Sequence, residues 1–170
     1  HLLRRQRQMC IRDRYKEGEK IPFIVHPHGG PNARDYWGYN PEVQFYATRG
    51  YGVIQMDYRG STGYGRKEMM LANHEMGKSM QEDKYDALFW ANEQGYVDMN
   101  NVCISGASYG GYAAMQAATK SPEIFKCIIA YVGVYDLTSS DLRGLQWSEL
   151  SQPMESVSYT HLRAHETVLH

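Results

Sequence analysis

Gly106-Ala107-Ser108-Tyr109-Gly110-Gly111-Tyr112 follows a short apolar run, Val102-Cys103-Ile104, and leads into an alanine-rich stretch from Tyr112 to Lys120. Strand, sharp turn bearing a serine, then helix is the context in which Gly-x-Ser-x-Gly has a mechanism. The turn lifts the serine hydroxyl above the sheet edge, where crowding excludes side chains on either side of it. Gly106 and Gly110 occupy those two places and define a nucleophile elbow, with Gly111 letting the helix lie close to the strand. Ser108 is the candidate nucleophile. Five residues alone are a weak signal, because the pattern arises by chance in roughly one chain in ten of this length and glycine content. The flanking strand and helix patterns, and a second motif, give it weight.

That second motif is His28-Gly29-Gly30-Pro31, directly after the apolar run Ile21-Pro22-Phe23-Ile24-Val25. In hydrolases of this build, the loop after an early strand gives one backbone N–H to the oxyanion hole, and the residue after the nucleophile gives the other. Gly30 and Tyr109 are the candidates. Taken alone, His28-Gly29-Gly30-Pro31 reads as an ordinary Gly-Pro turn; its order and spacing relative to Ser108 favour the oxyanion reading.

Short β runs alternate with helical stretches along the chain, which points to an α/β sheet of mostly parallel strands. Strands are predicted at residues 21–26, 51–57, 102–105 and 126–132, and helices at 41–48, 67–73 and 80–94. In the last helix Tyr85, Leu88, Phe89 and Ala91-Asn92 fall on or near one face. Residues 136–142 read as a short helix or loop. The resulting fold class is an incomplete α/β-hydrolase fold: a mostly parallel sheet with flanking helices, the elbow present and the last strands missing.

The two ends read as having a different origin. Met9-Cys10-Ile11-Arg12-Asp13 can be encoded by ATG TGT ATA AGA GAC, whose reverse complement, GTC TCT TAT ACA CAT, reads Val157-Ser158-Tyr159-Thr160-His161. An inverted repeat of DNA bracketing the chain has no structural meaning and resembles the transposon end of sequencing-library adapters. Residues 1–14 and 156–170 are therefore expected to be translated adapter, leaving 15–155 as a partial hydrolase domain. Residues 15–155 hold 12 Lys and Arg against 17 Asp and Glu, a formal charge of −5. A mildly acidic segment with no basic stripe argues against nucleic acid and anionic membrane as partners. No run approaches the roughly 18 apolar residues of a membrane span. No signal peptide is visible, and the cytoplasm is the default compartment. Cys103 and Cys127, both in apolar runs, are expected to be buried thiols.

Together, Pro27-His28-Gly29-Gly30-Pro31, the stretch from Asp57-Tyr58-Arg59-Gly60-Ser61 through Thr62-Gly63-Tyr64-Gly65, the elbow, and Tyr131-Val132-Gly133-Val134 resemble the catalytic domain of the prolyl oligopeptidase family. The similarity is to its acylaminoacyl-peptidase and dipeptidyl-peptidase-like branch. It implies serine-peptidase chemistry on short peptides, an α/β-hydrolase fold, and an N-terminal β-propeller in the complete protein that gates substrate entry. Ser108 would be the nucleophile, and Arg59 a structural arginine bracing the loops. In the family the triad acid and histidine lie many tens of residues past the serine, whereas 47 residues separate Ser108 from residue 155. Asp136 comes one strand too early for the acid, and His161, His165 and His170 fall in the adapter-like tail. The triad Asp and His are thus expected beyond the fragment, which would be inactive alone.

Other readings are weaker. The segment from Gly60 to Lys67 approaches a phosphate-binding loop, but Arg66 takes the lysine position and Lys67 that of the magnesium-binding hydroxyl. His26 and His28 lack a third ligand in register for zinc, so neither metal nor cofactor is expected. The aromatic stretch Tyr36, Trp37, Tyr39, Phe45, Tyr46 and Tyr51 reads as packing of a loop and helix on the sheet. Asp83 and Asp86, one helical turn apart, read as a solvated face or structural pair. A carboxylesterase of the same fold and a non-functional truncated product are the alternatives to a peptidase.

Overall fold

A computed structural model of the 170-residue chain describes residues 7–11 and 15–136. In chain order these form β1 (Arg7–Cys10), β2 (Ile21–Pro27), α1 (Pro41–Ala47), β3 (Gly52–Met56), α2 (Arg66–Met70), α3 (Ser79–Glu93), β4 (Val97–Ala107), α4 (Tyr109–Lys120) and β5 (Cys127–Tyr131). One sheet holds all five strands in the order β1-β3-β2-β4-β5. Strands β3, β2, β4 and β5 are mutually parallel, and β1 adds to the free edge of β3 antiparallel.

Parallel strands need cover on both faces, so they read as near-continuous apolar runs. All five residues of β3 are buried. Alternation along the strands divides the core in two. Phe23, Val25, Ile54, Val102 and Ile104 join Tyr85, Leu88 and Ala91 of α3 and Tyr109 and Tyr112 of α4 in the larger cluster. Ile24 and Val53 meet Val43 of α1 in the smaller one, with Cys10 and Cys103 at its margin. Helix α1 starts where the sequence supplies a cap. Asn40 Oδ1 accepts the N–H groups of Glu42 (3.0 Å) and Val43 (3.2 Å), and Pro41 presets the first helical turn.

Several expectations need correction. Cys103 and Cys127 form a disulfide and are not free thiols. The register of β4 on β5 sets them side by side, with Cα atoms 4.7 Å apart, within bridging range. Tyr36, Trp37 and Tyr39 do not pack on the sheet: the segment between β2 and α1 turns outward, leaving them 71%, 82% and 83% exposed. Phe89 is also exposed, because α3 points Leu88 inward and a neighbouring residue is rotated about 100° away from it. Asp83 is buried and bonded to Arg59, not solvated. Strand β4 begins five residues before the predicted run, its polar centre Asn100-Asn101 having hidden the pairing of Val97 with Ile21. Strand β1 lies where no element was predicted; its pairing uses backbone groups at the β3 edge. Asp136 has no regular structure, and residues 137–142 of the expected helix or loop lie outside the described residues.

Candidate active site

Chain geometry at the end of β4 is set by glycine. Ser108 joins β4 to α4 at φ 53° and ψ −120°, a left-handed conformation that non-glycine residues adopt at a cost of about 1–3 kcal/mol. A methyl group on Gly106 would lie 2.6 Å from the Gly110 carbonyl, and one on Gly110 would lie 2.3 Å from the Pro27 carbonyl oxygen. Both glycines of the elbow are therefore sterically required. One on Gly111 would meet the Tyr131 carbonyl oxygen at 3.0 Å. The Ser108 N–H donates to that same Tyr131 oxygen (3.2 Å).

The loop after β2 closes against this turn. A methyl group on Gly29 would lie 3.4 Å from Ser108 Cβ and 3.3 Å from the Ala107 carbonyl oxygen, so the backbone of this loop runs beside the nucleophile. Gly30 follows at φ 127°, and its peptide to Pro31 is cis. Tyr109 is the first residue of α4, where backbone N–H groups point out of the helix end. The structure thus brings the Gly29-Gly30 loop and the elbow together around Ser108.

A second loop, residues 57–65, holds the first in place. His28 stacks on Tyr58 with ring centroids 4.3 Å apart. Its Nδ1–H donates to the Gly29 carbonyl (2.6 Å), and Nε2 lies 3.0 Å from Ser61 Oγ and 3.5 Å from Asp57 Oδ1. The Tyr58 hydroxyl donates to the His28 carbonyl (2.9 Å), Asn32 Nδ2 to the Gly60 carbonyl (3.1 Å), and the Thr62 N–H to the Ala33 carbonyl (2.9 Å). Arg59 anchors this loop to α3. Its Nη2 and Nε donate to Asp83 Oδ1 (2.7 Å) and Oδ2 (3.1 Å), and the Arg59 N–H donates to Oδ2 (2.7 Å). Arg59 thus ties this one loop to α3 through a single carboxylate.

Burial drives the titration behaviour of the two loops. It pushes the His28 ring below the ordinary imidazole range, with Gly29 and Asp57 partly opposing it. Asp35 donates its N–H to Asp57 Oδ1 (2.8 Å), and its own carboxyl is pushed up to about 7, by burial first and by the Asp57 carboxylate second. Sequence reasoning gave no role to Asp35, Asp57 or Ser61. Asp57 and Ser61 stood within a quoted motif, but their bonding to His28 depends on how two loops meet.

Of the three histidines among the described residues, none is hydrogen-bonded to Ser108 Oγ. His28 is engaged as above, and His26 sits beside Glu42 with Nε2 4.0 Å from Oε2. Nor do the described residues contain a group of three or more His, Cys, Asp or Glu side chains able to hold a metal ion. None of their helices is long and apolar enough to cross a membrane.

A serine raised on a strand–turn–helix elbow of a mainly parallel sheet, facing a glycine loop after an earlier strand, defines an α/β-hydrolase fold. Within that class the chain belongs to the prolyl oligopeptidase family, whose model matches residues 37–167. It is 40% identical over 124 residues to dipeptidyl aminopeptidase BIII of Pseudoxanthomonas mexicana, covering 73% of this chain and 18% of that protein. It is also 40% identical over 117 residues to dipeptidyl peptidase family member 6 of Caenorhabditis elegans, covering 69% and 16%. A solved Mycobacterium tuberculosis puromycin-hydrolyzing peptidase superposes with a TM-score of 0.77 at 29% identity, over 86% of this chain and 24% of that one. The chain thus spans less than a fifth of the length of these two curated relatives.

Proposed function

We propose that this chain carries the nucleophile and oxyanion hole of a serine peptidase acting on short peptides. The observation that supports it most is the Ser108 turn, left-handed and flanked by glycines that admit no side chain, with the Gly29-Gly30 backbone alongside. Ser108 Oγ attacks the scissile carbonyl, and the N–H groups of Gly30 and Tyr109 take the developing oxyanion. The amine leaves with a proton, and water then releases the acyl group from Ser108. His28 is committed to the loop brace, and His26 is turned to Glu42. No histidine among the described residues, His74 included, is hydrogen-bonded to Ser108, and this reading assigns the base to a histidine beyond residues 15–155. Residues 1–14 and 156–170 are adapter-derived in this reading, and the complete protein carries its acid, base and a gating β-propeller in sequence flanking 15–155. The names of the relatives support peptide substrates over esters.

The test uses the product of the uninterrupted source reading frame with matched short peptide arylamides and short-chain esters. Ser108→Ala should lower kcat/KM on the arylamide by about 10⁴-fold or more. Undiminished hydrolysis by that variant overturns the assignment, and hydrolysis confined to the ester replaces peptidase by carboxylesterase.

A further inference from the structure

The carbonyl that holds the nucleophile's amide belongs to an exposed residue at the sheet edge. Tyr131 is the last residue of β5, and its carbonyl oxygen accepts the Ser108 N–H at 3.2 Å. The next residue, Val132, stands at φ 45°, a conformation in which a β-branched residue is a genuine outlier. Among the described residues β5 pairs on one side only, with β4. The end of β5 is thus strained and half free, and it supplies the acceptor for the Ser108 N–H of the turn.

A side-chain tether comes from the opposite direction. The Tyr131 hydroxyl donates to Glu42 Oε2 at 2.7 Å. Glu42 lies in the first turn of α1 and is held in turn by the Tyr46 hydroxyl, which donates to Oε1 at 3.1 Å. Tyr46 also meets Ser105 Oγ at 2.9 Å, three residues before the nucleophile on β4. His26 stands 4.0 Å from Glu42, and burial pushes its ring below the ordinary range. Glu42 partly opposes that shift, and its carboxylate oxygens serve as hydrogen-bond acceptors for the Tyr131, Tyr46 and Ser105 hydroxyls. Bonds of this charge-assisted kind are the stronger ones in proteins.

We propose that Glu42 is a positioning residue for the nucleophile turn, acting through the Tyr131 hydroxyl to fix the carbonyl that holds the Ser108 amide. Its meaning for catalysis rests on Ser108 being the nucleophile; the placement of the amide does not. The tether reaches the turn from α1, a different element from the loop that carries the oxyanion candidates. It would therefore govern where Ser108 stands without touching substrate.

Amide hydrogen exchange on the 170-residue chain tests this, with Val25, Ile54 and Ile104 as core references. Tyr131→Phe removes one hydroxyl of an exposed side chain and keeps the ring and the backbone. It should raise exchange at Ser108 about tenfold, as loss of a charge-assisted bond implies, and leave the references within about twofold. Glu42→Ala, which also releases the Tyr46 and Ser105 hydroxyls, should raise it at least as much, Glu42→Gln should raise it less than Glu42→Ala because one carbonyl oxygen remains, and adding Tyr131→Phe to Glu42→Ala should raise it no further. Unchanged exchange at Ser108 in Tyr131→Phe overturns the proposal, as does an equal rise at Ser108 and the core, which would mark a general loss of stability. A response to Glu42→Ala without one to Tyr131→Phe also overturns it, since the route would bypass the tyrosine. These readouts hold whether or not the complete protein proves to be a peptidase.

Discussion

Ser108 and Gly110 show how closely the site depends on single residues. The Gly110 Cα faces the Pro27 carbonyl so tightly that a methyl group there would lie 2.3 Å from its oxygen. Both partners are backbone, so neither can swing aside. Gly110→Ala should therefore cost about 3 kcal/mol or more in urea unfolding, the range of severe overpacking. Asp35 gives a pH signature at the same scale. Its folded pKa of about 7 lies above its ordinary 3.8, so between pH 4 and 7 the folded chain holds a proton that the unfolded chain has released. The stabilisation is present at low pH and is lost as pH rises through that window, by at most about 1.4 kcal/mol per unit. Subtracting the Asp35→Asn stability profile from that of the unsubstituted chain should leave this slope, flat below pH 4 and above 7. A difference curve with no slope would show that Asp35 titrates normally.

At the scale of elements, the nucleophile strand is tied to its neighbour by covalent chemistry. Cys103 and Cys127 bridge β4 and β5 across a separation of 24 residues, a closed loop worth on the order of 3 kcal/mol. Under denaturing conditions without reductant, a thiol reagent should find one cysteine per chain, Cys10; with reductant it should find all three. Three thiols before reduction would contradict the bridge. This is also where the sequence stopped being readable. The apolar runs at β2, β3 and β5 located those strands, and the glycine pattern located the elbow, because each is a local signal. The pairing of Cys103 with Cys127 depends on which strands are neighbours and in what register. Asp57 beside His28, and Glu42 below Tyr131, likewise come from segments brought together only by the fold. The outward turn of Tyr36, Trp37 and Tyr39 was misread for a related reason: aromatic content measures the capacity to pack, not whether a surface is there to receive it.

Across the whole molecule, a chain of contacts runs from α3 to the nucleophile. Asp83 holds Arg59, the loop of Arg59 holds His28 and Asn32, and the loop of His28 lies against Ser108. Prolyl oligopeptidase family membership explains why these stretches occur together in one chain. Peptidase chemistry through Ser108 is the claim on which the functional account stands. The most direct measurement is mass-spectrometric mapping of a fluorophosphonate adduct on the product of the uninterrupted source reading frame. The account predicts one modified residue, Ser108, and no adduct in the Ser108→Ala variant. An adduct on another serine, or labelling undiminished in Ser108→Ala, would contradict it.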